Sequence, residues 1–423
     1  MTNLFDELSW RGLVYDKTEG LPELLARERV TAYIGFDPTA SSLHVGSLLT
    51  VMGLARLQRL GHSPIANVGG GTGMIGDPSG KSQERNLLSR EQVNANAAGI
   101  EQQLRRFLDF GQIRNAARLV NNADWLGAID VLSFLRDAGK HFTVNYMLEK
   151  ESVKRRLEGE DGISFTEFSY LVLQAYDFLQ LFDRYSCVLQ MGGSDQWGNI
   201  TAGTDLIRKL RAKKAHGLVW PLMKTSSGSK FGKTEAGTIW LDPARTSPFR
   251  FYQFWLNTDD RDVVQYLKFF TFLEQSTIAA LEDATKKEPE KREAQRVLAS
   301  EMTTLVHGIV QLGRAERASS LLFGEDIATL PVEDVLEVFA DVPSSEIPEA
   351  EFAPGVSVVD LVTRVQLSAS KGEARRLVQS GGIYVNNRRI SDPSAKVLKE
   401  DAIGGRLFVV RKGQKQNHLV RIG

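Results

Sequence analysis

The chain has one cysteine in 423 residues, Cys187. A single thiol makes neither an internal disulfide nor a Cys-x-x-Cys zinc site. The six histidines, at 44, 62, 141, 216, 307 and 418, form no His-x-x-x-His pair, so no protein-ligated metal is expected. Neither sign of charge is in excess: 52 basic and 52 acidic side chains leave a formal net charge of +0. Attraction of the whole chain to nucleic acid is thereby excluded, and only a local basic patch could serve that purpose. Long apolar runs are missing too. No stretch approaches the roughly 20 residues of a membrane helix. The acidic start, Met1-Thr-Asn-Leu-Phe-Asp-Glu7, lacks the apolar segment of a secretory signal. The expectation is a soluble, membrane-independent protein of a reducing compartment, most simply cytoplasmic.

What is present is an alternation of strands and helices. Val30–Gly35 reads as a buried strand, and Leu48 to Leu60 spaces its apolar residues as a helix does. Between them, Gly35-Phe-Asp-Pro-Thr39 breaks the strand and Ser41 or Ser42 is placed to cap the helix. His44 and Gly46 then stand near a positive helix end, where backbone N–H groups attract phosphate; an ordinary connection is the alternative. Further strands are read at 64–68, 117–121, 187–191 and 218–223, with helices between them, including one near 90–109. This alternation implies a doubly wound parallel sheet, Rossmann-like, whose ligands bind at the carboxyl ends of the strands.

Two glycine patterns in the second turn are rejected. Gly71-Thr-Gly-Met-Ile-Gly76 fits a dinucleotide fingerprint, but Asp77-Pro78 interrupts the helix it should open. Gly76-Asp-Pro-Ser-Gly-Lys81 is one residue short of a phosphate-binding P-loop. What survives is a loop carrying Lys81 and Arg85. Residues 161–178 read as a helix capped near Ser164, with Tyr170, Gln174 and Asp177 on one face. Such a polar face is either solvated or the wall of a site. Gly192-Gly-Ser-Asp-Gln-Trp-Gly198 follows a strand, and residues 224–235 form a small, basic loop containing Lys230, Lys233 and Thr234.

From Ser247 to about Phe323 the chain reads as helical with an aromatic core. Residues 325–355 carry nine acidic side chains, no basic ones and four prolines, and read as a linker. Residues 356–423 reverse the sign, with thirteen basic against five acidic side chains. A polarised terminal module of this kind suits a nucleic-acid backbone. The division expected is an α/β catalytic domain at 1–245, a helical domain at 246–324, an acidic linker at 325–355 and a small α+β domain at 356–423.

In their order, these stretches resemble the bacterial-type tyrosyl-tRNA synthetases over essentially the full length. His44-Val-Gly-Ser47 is similar to the first class I signature, His-Ile-Gly-His, and Lys230-Phe-Gly-Lys-Thr234 to the second, Lys-Met-Ser-Lys-Ser. Gly35-Phe-Asp-Pro-Thr39, Gly76-Asp-Pro-Ser79, Phe165-Thr-Glu-Phe-Ser-Tyr170 and Gly193-Ser-Asp-Gln-Trp-Gly198 are similar to the tyrosine branch. Ser370-Lys-Gly-Glu-Ala-Arg-Arg376 and Ile383-Tyr-Val-Asn-Asn387 resemble the S4 RNA-binding fold.

The resemblance implies activation of L-tyrosine by ATP with Mg²⁺, then transfer to tRNA(Tyr), by a homodimer. It implies that Thr39, His44, Lys230, Lys233 and Thr234 hold the triphosphate in the transition state, assisted by Lys81 and Arg85. Asp37, Gly46, Ser47 and Asp195 join the ATP site, Asp195 at the ribose. Tyr33 and Asp177 would take the phenol, Asp77, Tyr170 and Gln174 the amino group, and Gln196 the carboxylate. Lys371, Arg375, Arg376, Arg388 and Arg389 would meet RNA. The subunit interface is expected around Trp125, Phe134 and Phe142. Two departures stand out: Ser47 replaces the second histidine of one signature, and Phe231-Gly232 replaces Met-Ser in the other. A catalytically silent RNA-binding relative and a tryptophan-specific or other adenylyl-transferring relative are the competing classes. The intact lysines oppose the first, and the Tyr33–Asp177 pair opposes the second.

Overall fold

A computed structural model describes residues 3–79, 87–159, 162–228, 231–234, 237–322, 327, 331–339, 342–413 and 416–423. The chain divides into two units, Met1–Thr246 with Trp255–Val306, and Ser247–Phe254 with His307–Gly423.

The first unit is built on a six-stranded sheet. Its strands are β1 (Asp16–Lys17), β2 (Thr31–Phe36), β3 (Ser63–Val68), β4 (Arg118–Asn121), β5 (Cys187–Gly193) and β6 (His216–Trp220), in the order β1-β6-β5-β2-β3-β4. The five strands β2 to β6 are parallel. Burial explains their composition: β3 is buried from Pro64 to Val68 and β6 throughout, as in a sheet covered on both faces. β1 pairs antiparallel with β6 at the edge. Two residues carry no periodicity, so the sequence pattern does not predict this strand.

The order reverses between β2 and β5, which are neighbours with Tyr33 opposite Gln190. The chain leaves these two strands in opposite directions, and their carboxyl ends open a crevice, the usual ligand site of such sheets. Helix Val45–Arg59 is buried along most of its length. Helix Phe165–Tyr185 extends seven residues past the expected end at 178 and is stopped by Ser186 in the left-handed conformation. Its apolar face shares a core with Ile65, Trp125, Leu206 and Ile207.

The expected serine cap on helix Val45–Arg59 is not what forms. His44 is the N-cap residue and its side chain makes no capping bond. Ser42 instead donates to the Leu43 carbonyl at 2.7 Å and accepts from Gln103 Nε2 at 2.9 Å and the Asp242 N–H at 3.2 Å. Long-range partners outcompete the local cap. Two buried arginines also act at a distance. Arg56 donates to the carbonyls of Phe269 (2.6 Å) and Thr271 (2.8 Å), and Arg11 to those of Lys268 and Leu273, both at 2.8 Å. They satisfy carbonyls in the last turn of helix Asp260–Phe270 and in the residues just after it. Burial pulls the Arg56 guanidinium down to about 9.

In the second unit, five strands run in the order Arg388–Ile390, Ile383–Val385, Leu407–Lys412, Gln416–Ile422 and Ser344–Ile347. Helices Val358–Arg364 and Lys371–Gln379 bury Val358, Leu361, Val362, Ala374 and Val378 in one core with Phe408. The hairpin at 383–390 turns on Asn386-Asn387, both at positive φ (49° and 62°), the geometry that Asn tolerates in a two-residue turn. Within the stretch read as an acidic linker lie a helix, Val332–Val338, and the edge strand Ser344–Ile347. Val335 and Phe339, four residues apart, are buried with Ile403, Leu407 and Leu419. Acidic residues and prolines masked this apolar spacing in the composition.

Candidate active site

At the β2/β5 crevice the first unit encloses a cavity of about 540 Å³. Its closed end is polar and buried. Asp177, on helix Phe165–Tyr185, accepts from Trp125 Nε1 at 2.7 Å, Asn122 Nδ2 at 2.7 Å and Asn67 Nδ2 at 3.3 Å. Burial raises its carboxyl to about 7, against the downward pull of those donors. Tyr33, at 1% exposure, packs its ring against Phe178 at 5.3 Å. Its phenol is held well above the usual range, first by burial and then by the Asp177 charge, so it stays a donor. Tyr33 Oη, Asn67 Oδ1 and Gln190 Oε1 are buried with no hydrogen-bond partner among the described residues. All three belong to residues lining the cavity. Buried polar atoms left without partners are costly, and several around one cavity imply a ligand that completes them.

Beside this end lie two carboxylate networks. Asp37 accepts from the Tyr170 hydroxyl at 2.8 Å and from Thr72 Oγ1 at 2.7 Å. Asp77 accepts from Gln196 Nε2 at 2.7 Å, Gln196 Oε1 from Gln174 Nε2 at 3.2 Å, and Gln174 Oε1 from Asn199 Nδ2 at 2.9 Å. Tyr170, Gln174 and Asp177 do share a helix face, and it faces the cavity instead of water. Asp195 lines the same space; burial, then the Asp77 charge, push its carboxyl up.

The open end is made of the turn after β2, the first turns of helix Val45–Arg59 and the loop across from them. Thr39, His44, Gly46, Ser47 and Thr50 line it, with Lys224 and Phe231 across. The two signatures are physically joined there. The Val45 N–H donates to the Ile239 carbonyl at 3.0 Å, and the Ile239 N–H donates to the Gly232 carbonyl at 3.1 Å. The unusual residues of the second signature have structural reasons. Phe231 stacks on Phe270 (5.3 Å, 15°) and meets Tyr266 edge-on at 5.0 Å. Gly232 has φ +80°, and a Cβ there would lie 2.6 Å from Val45 Cγ2. Ser226 enters this loop by donating its N–H (3.0 Å) and its hydroxyl (3.1 Å) to Asp262 Oδ2.

The structure therefore brings Tyr33, Asp37, Thr39, His44, Gly46, Ser47, Asp77, Tyr170, Gln174, Asp177, Asp195 and Gln196 to one cavity. Lys81, Arg85 and Lys230 lie outside the described residues. Lys233 and Thr234 form a two-residue strand paired with Gly237–Thr238. Sequence reasoning missed Asn67, Thr72, Asn122, Gln190 and Asn199. Asn122 follows a short strand, and its amide marks nothing until the fold sets it against Asp177. Trp125 is a correction of a different kind. Expected at a subunit interface, it is buried in the core and donates to Asp177. In the second unit, Lys371, Arg375, Arg376 and Arg388 are exposed. Lys371 pairs with Asp360 at 2.6 Å, and Arg389 donates to the carbonyls of Gly381 and Ser380.

Comparison with known proteins agrees with this geometry. Residues 25–324 match the profile of class I tRNA synthetases (W and Y), and residues 334–420 that of the tyrosine–tRNA ligase SYY-like C-terminal domain. The chain is 55% identical to the tyrosine–tRNA ligase of Roseiflexus castenholzii over 423 residues, all of both chains. It is 54% identical to that of Geobacillus stearothermophilus over 422 residues, 99% of each. Among solved structures, a C-terminally truncated mitochondrial tyrosyl-tRNA synthetase of Aspergillus nidulans superposes with a TM-score of 0.70 at 32% identity, over 76% of this chain and 95% of that one. The crevice at the sheet's reversal, the buried Tyr33–Asp177 end and these full-length matches together assign the chain to the tyrosyl-tRNA synthetase family.

Proposed function

We propose that this protein activates L-tyrosine with ATP and transfers it to tRNA(Tyr), with the residues gathered at the cavity in the following roles. A tyrosine carboxylate oxygen attacks the α-phosphorus, the bond from that phosphorus to its bridging oxygen breaks, and pyrophosphate leaves. A hydroxyl of the tRNA's terminal ribose then attacks the tyrosyl carbonyl, and AMP leaves. Neither step needs a protein nucleophile. Both need alignment, and the first needs positive or hydrogen-bonding groups on the departing pyrophosphate.

The reading is carried by the Asp177 arrangement. A carboxylate held by three donors beside an unpartnered buried phenol asks for a ligand that both donates and accepts. A tyrosine phenol donates to Asp177 and accepts from Tyr33. Phenylalanine would leave both groups unmet. Asp77, Gln174 and Tyr170 suit the ammonium group and Gln196 the carboxylate. Asp37, which accepts from two hydroxyls, carries a negative charge that favours the same ammonium over a phosphate. Asp195 would accept from the ribose hydroxyls, and Gly46 leaves room for the base. Thr39, His44, Lys230, Lys233 and Thr234, with Lys81 and Arg85, would hold the phosphates. Mg²⁺ would arrive on ATP, where phosphate oxygens supply its ligands and it offsets their charge.

The basic excess of residues 356–423, with Arg375, Arg376 and Arg388 exposed, supports a tRNA contact. A homodimer is supported by helix Val131–Asp137, which has no buried residue although Val131 and Leu132 are 67% and 75% exposed. Sedimentation of a monomer at micromolar concentration would remove that part. No helix among the described residues is long and apolar enough to cross a membrane, which is compatible with a cytoplasmic enzyme. The deciding experiment is amino-acid-dependent ATP–pyrophosphate exchange with tyrosine, phenylalanine and tryptophan. Exchange with tyrosine alone is expected. Background exchange with all three would sink the reading.

A further inference from the structure

His44 faces the open end of the cavity, and its ring is located from two sides. It lies over Gly46: a Cβ on that glycine would sit 2.7 Å from the imidazole Cε1 and 2.8 Å from Nδ1. On another side, Trp240 meets the imidazole edge-on, with ring centroids 5.9 Å apart and planes at 73°. The contact is built into the backbone. Residues 44 and 240 are partners in an antiparallel bridge. It is flanked by the Val45 N–H donating to the Ile239 carbonyl (3.0 Å) and the Leu241 N–H donating to the Leu43 carbonyl (2.9 Å).

Trp240 is itself fixed. Its backbone N–H donates to Thr246 Oγ1 at 3.0 Å, and the Arg245 guanidinium lies 3.3 Å over its ring. It does not line the cavity, whereas His44 does. The residue before it, Ile239, donates to Gly232 in the second signature. One short ladder therefore runs from the first signature through Ile239 to the second, and Trp240 follows Ile239 in the chain.

We propose that Trp240 is a positioning residue for tyrosine activation: it holds the His44 imidazole in its phosphate-facing orientation. The proposal rests on the function read above. Groups that stabilise a leaving pyrophosphate work only when already in place, because reorganising them during the reaction cancels the gain. An imidazole on two free torsions swings through more than 1 Å, and a displacement of about that size costs on the order of 100-fold in rate. The edge of Trp240 and the bare Gly46 remove that freedom, Trp240 from outside the cavity lining.

The test is tyrosine-dependent pyrophosphate exchange by the full chain, with Trp240→Ala, Trp240→Phe, Trp240→Leu, His44→Ala and the double variant Trp240→Ala/His44→Ala. Trp240→Ala is expected to lower kcat by about tenfold, leaving the KM for tyrosine unchanged. Trp240→Phe, which keeps an aromatic edge, recovers most of the loss, whereas Trp240→Leu does not. The double variant is no slower than His44→Ala, because a residue acting through His44 has nothing left to position. The His44 Hε1 resonance, assigned by its disappearance in His44→Ala, shifts when the neighbouring ring is removed in Trp240→Leu. A Trp240→Ala rate within about twofold of wild type, multiplying losses in the double variant, or an unmoved His44 resonance would each overturn the proposal. A wild-type protein without exchange would overturn the function instead, and the resonance would still report on the contact.

Discussion

The two ends of the cavity are built from different materials. The closed end is side chains on regular elements: Tyr33 on β2, Gln190 on β5, and Asp177 on a 21-residue helix, all nearly sealed from water. The open end is turns and the first turns of helix Val45–Arg59, with Thr39 and Gly46 exposed and the Gly232 backbone at positive φ. Burial makes each unmet hydrogen bond expensive, so the closed end suits discrimination between amino acids. Exposure leaves room for a triphosphate and its metal, so the open end suits charge stabilisation. Under the proposed roles, selectivity and rate belong to different parts of one site.

Substitutions can break that contrast. The largest effect is expected for Asp177→Asn, which sets an amide N–H₂ against the donors of Trp125, Asn122 and Asn67. A cost of about 3 kcal/mol or more, at least roughly 100-fold in kcat/KM for tyrosine, should appear in pyrophosphate exchange. A loss under tenfold would mean that this end does not govern selectivity. His44→Ala should act in the opposite way, lowering kcat by roughly 10- to 100-fold while the KM for tyrosine is unchanged. A rise in that KM with kcat intact would merge the two ends into one. Tyr33→Phe removes one neutral hydrogen bond and should cost about 1 kcal/mol, seen as a modest fall in kcat/KM for tyrosine and a narrower margin over phenylalanine.

The last effect is on stability, not on rate. The Asp177 carboxyl is raised from 3.8 to about 7 in the folded, ligand-free protein. The fold therefore binds a proton that the unfolded chain has released, and stability is lost as pH rises from about 4 through about 7. Thermal melts should show a steeper decline over that interval in wild type than in Asp177→Asn. Parallel curves would mean that the carboxyl is ionised throughout.

Much of this was legible before the fold was known. The strands at 31–36, 63–68 and 187–193 announce themselves by runs of buried apolar residues, and helix Val45–Arg59 by its spacing. His44 was singled out by its place in the first signature, and Tyr33 and Asp177 by what the family resemblance implies. Asn122, Gln190 and Asn67 were not, because an amide or a strand glutamine looks the same in solvent as in a site. The same limit explains Trp125: an aromatic residue signals apolar surface, and sequence does not say whether a core or a second subunit covers it.

The amino-acid sequence by itself determined the period of the main strands and helices of the first unit and which motifs stand at strand ends. These are local properties, settled by backbone sterics and side-chain spacing over a few residues. The tertiary structure alone decided that Ser42 serves Gln103 and Asp242 instead of a helix cap. It likewise decided that Asp177 faces three donors, and that Trp240 stands against His44 nearly 200 residues away in sequence. Such contacts depend on which chain segments the sheet order brings together, and no local pattern encodes them.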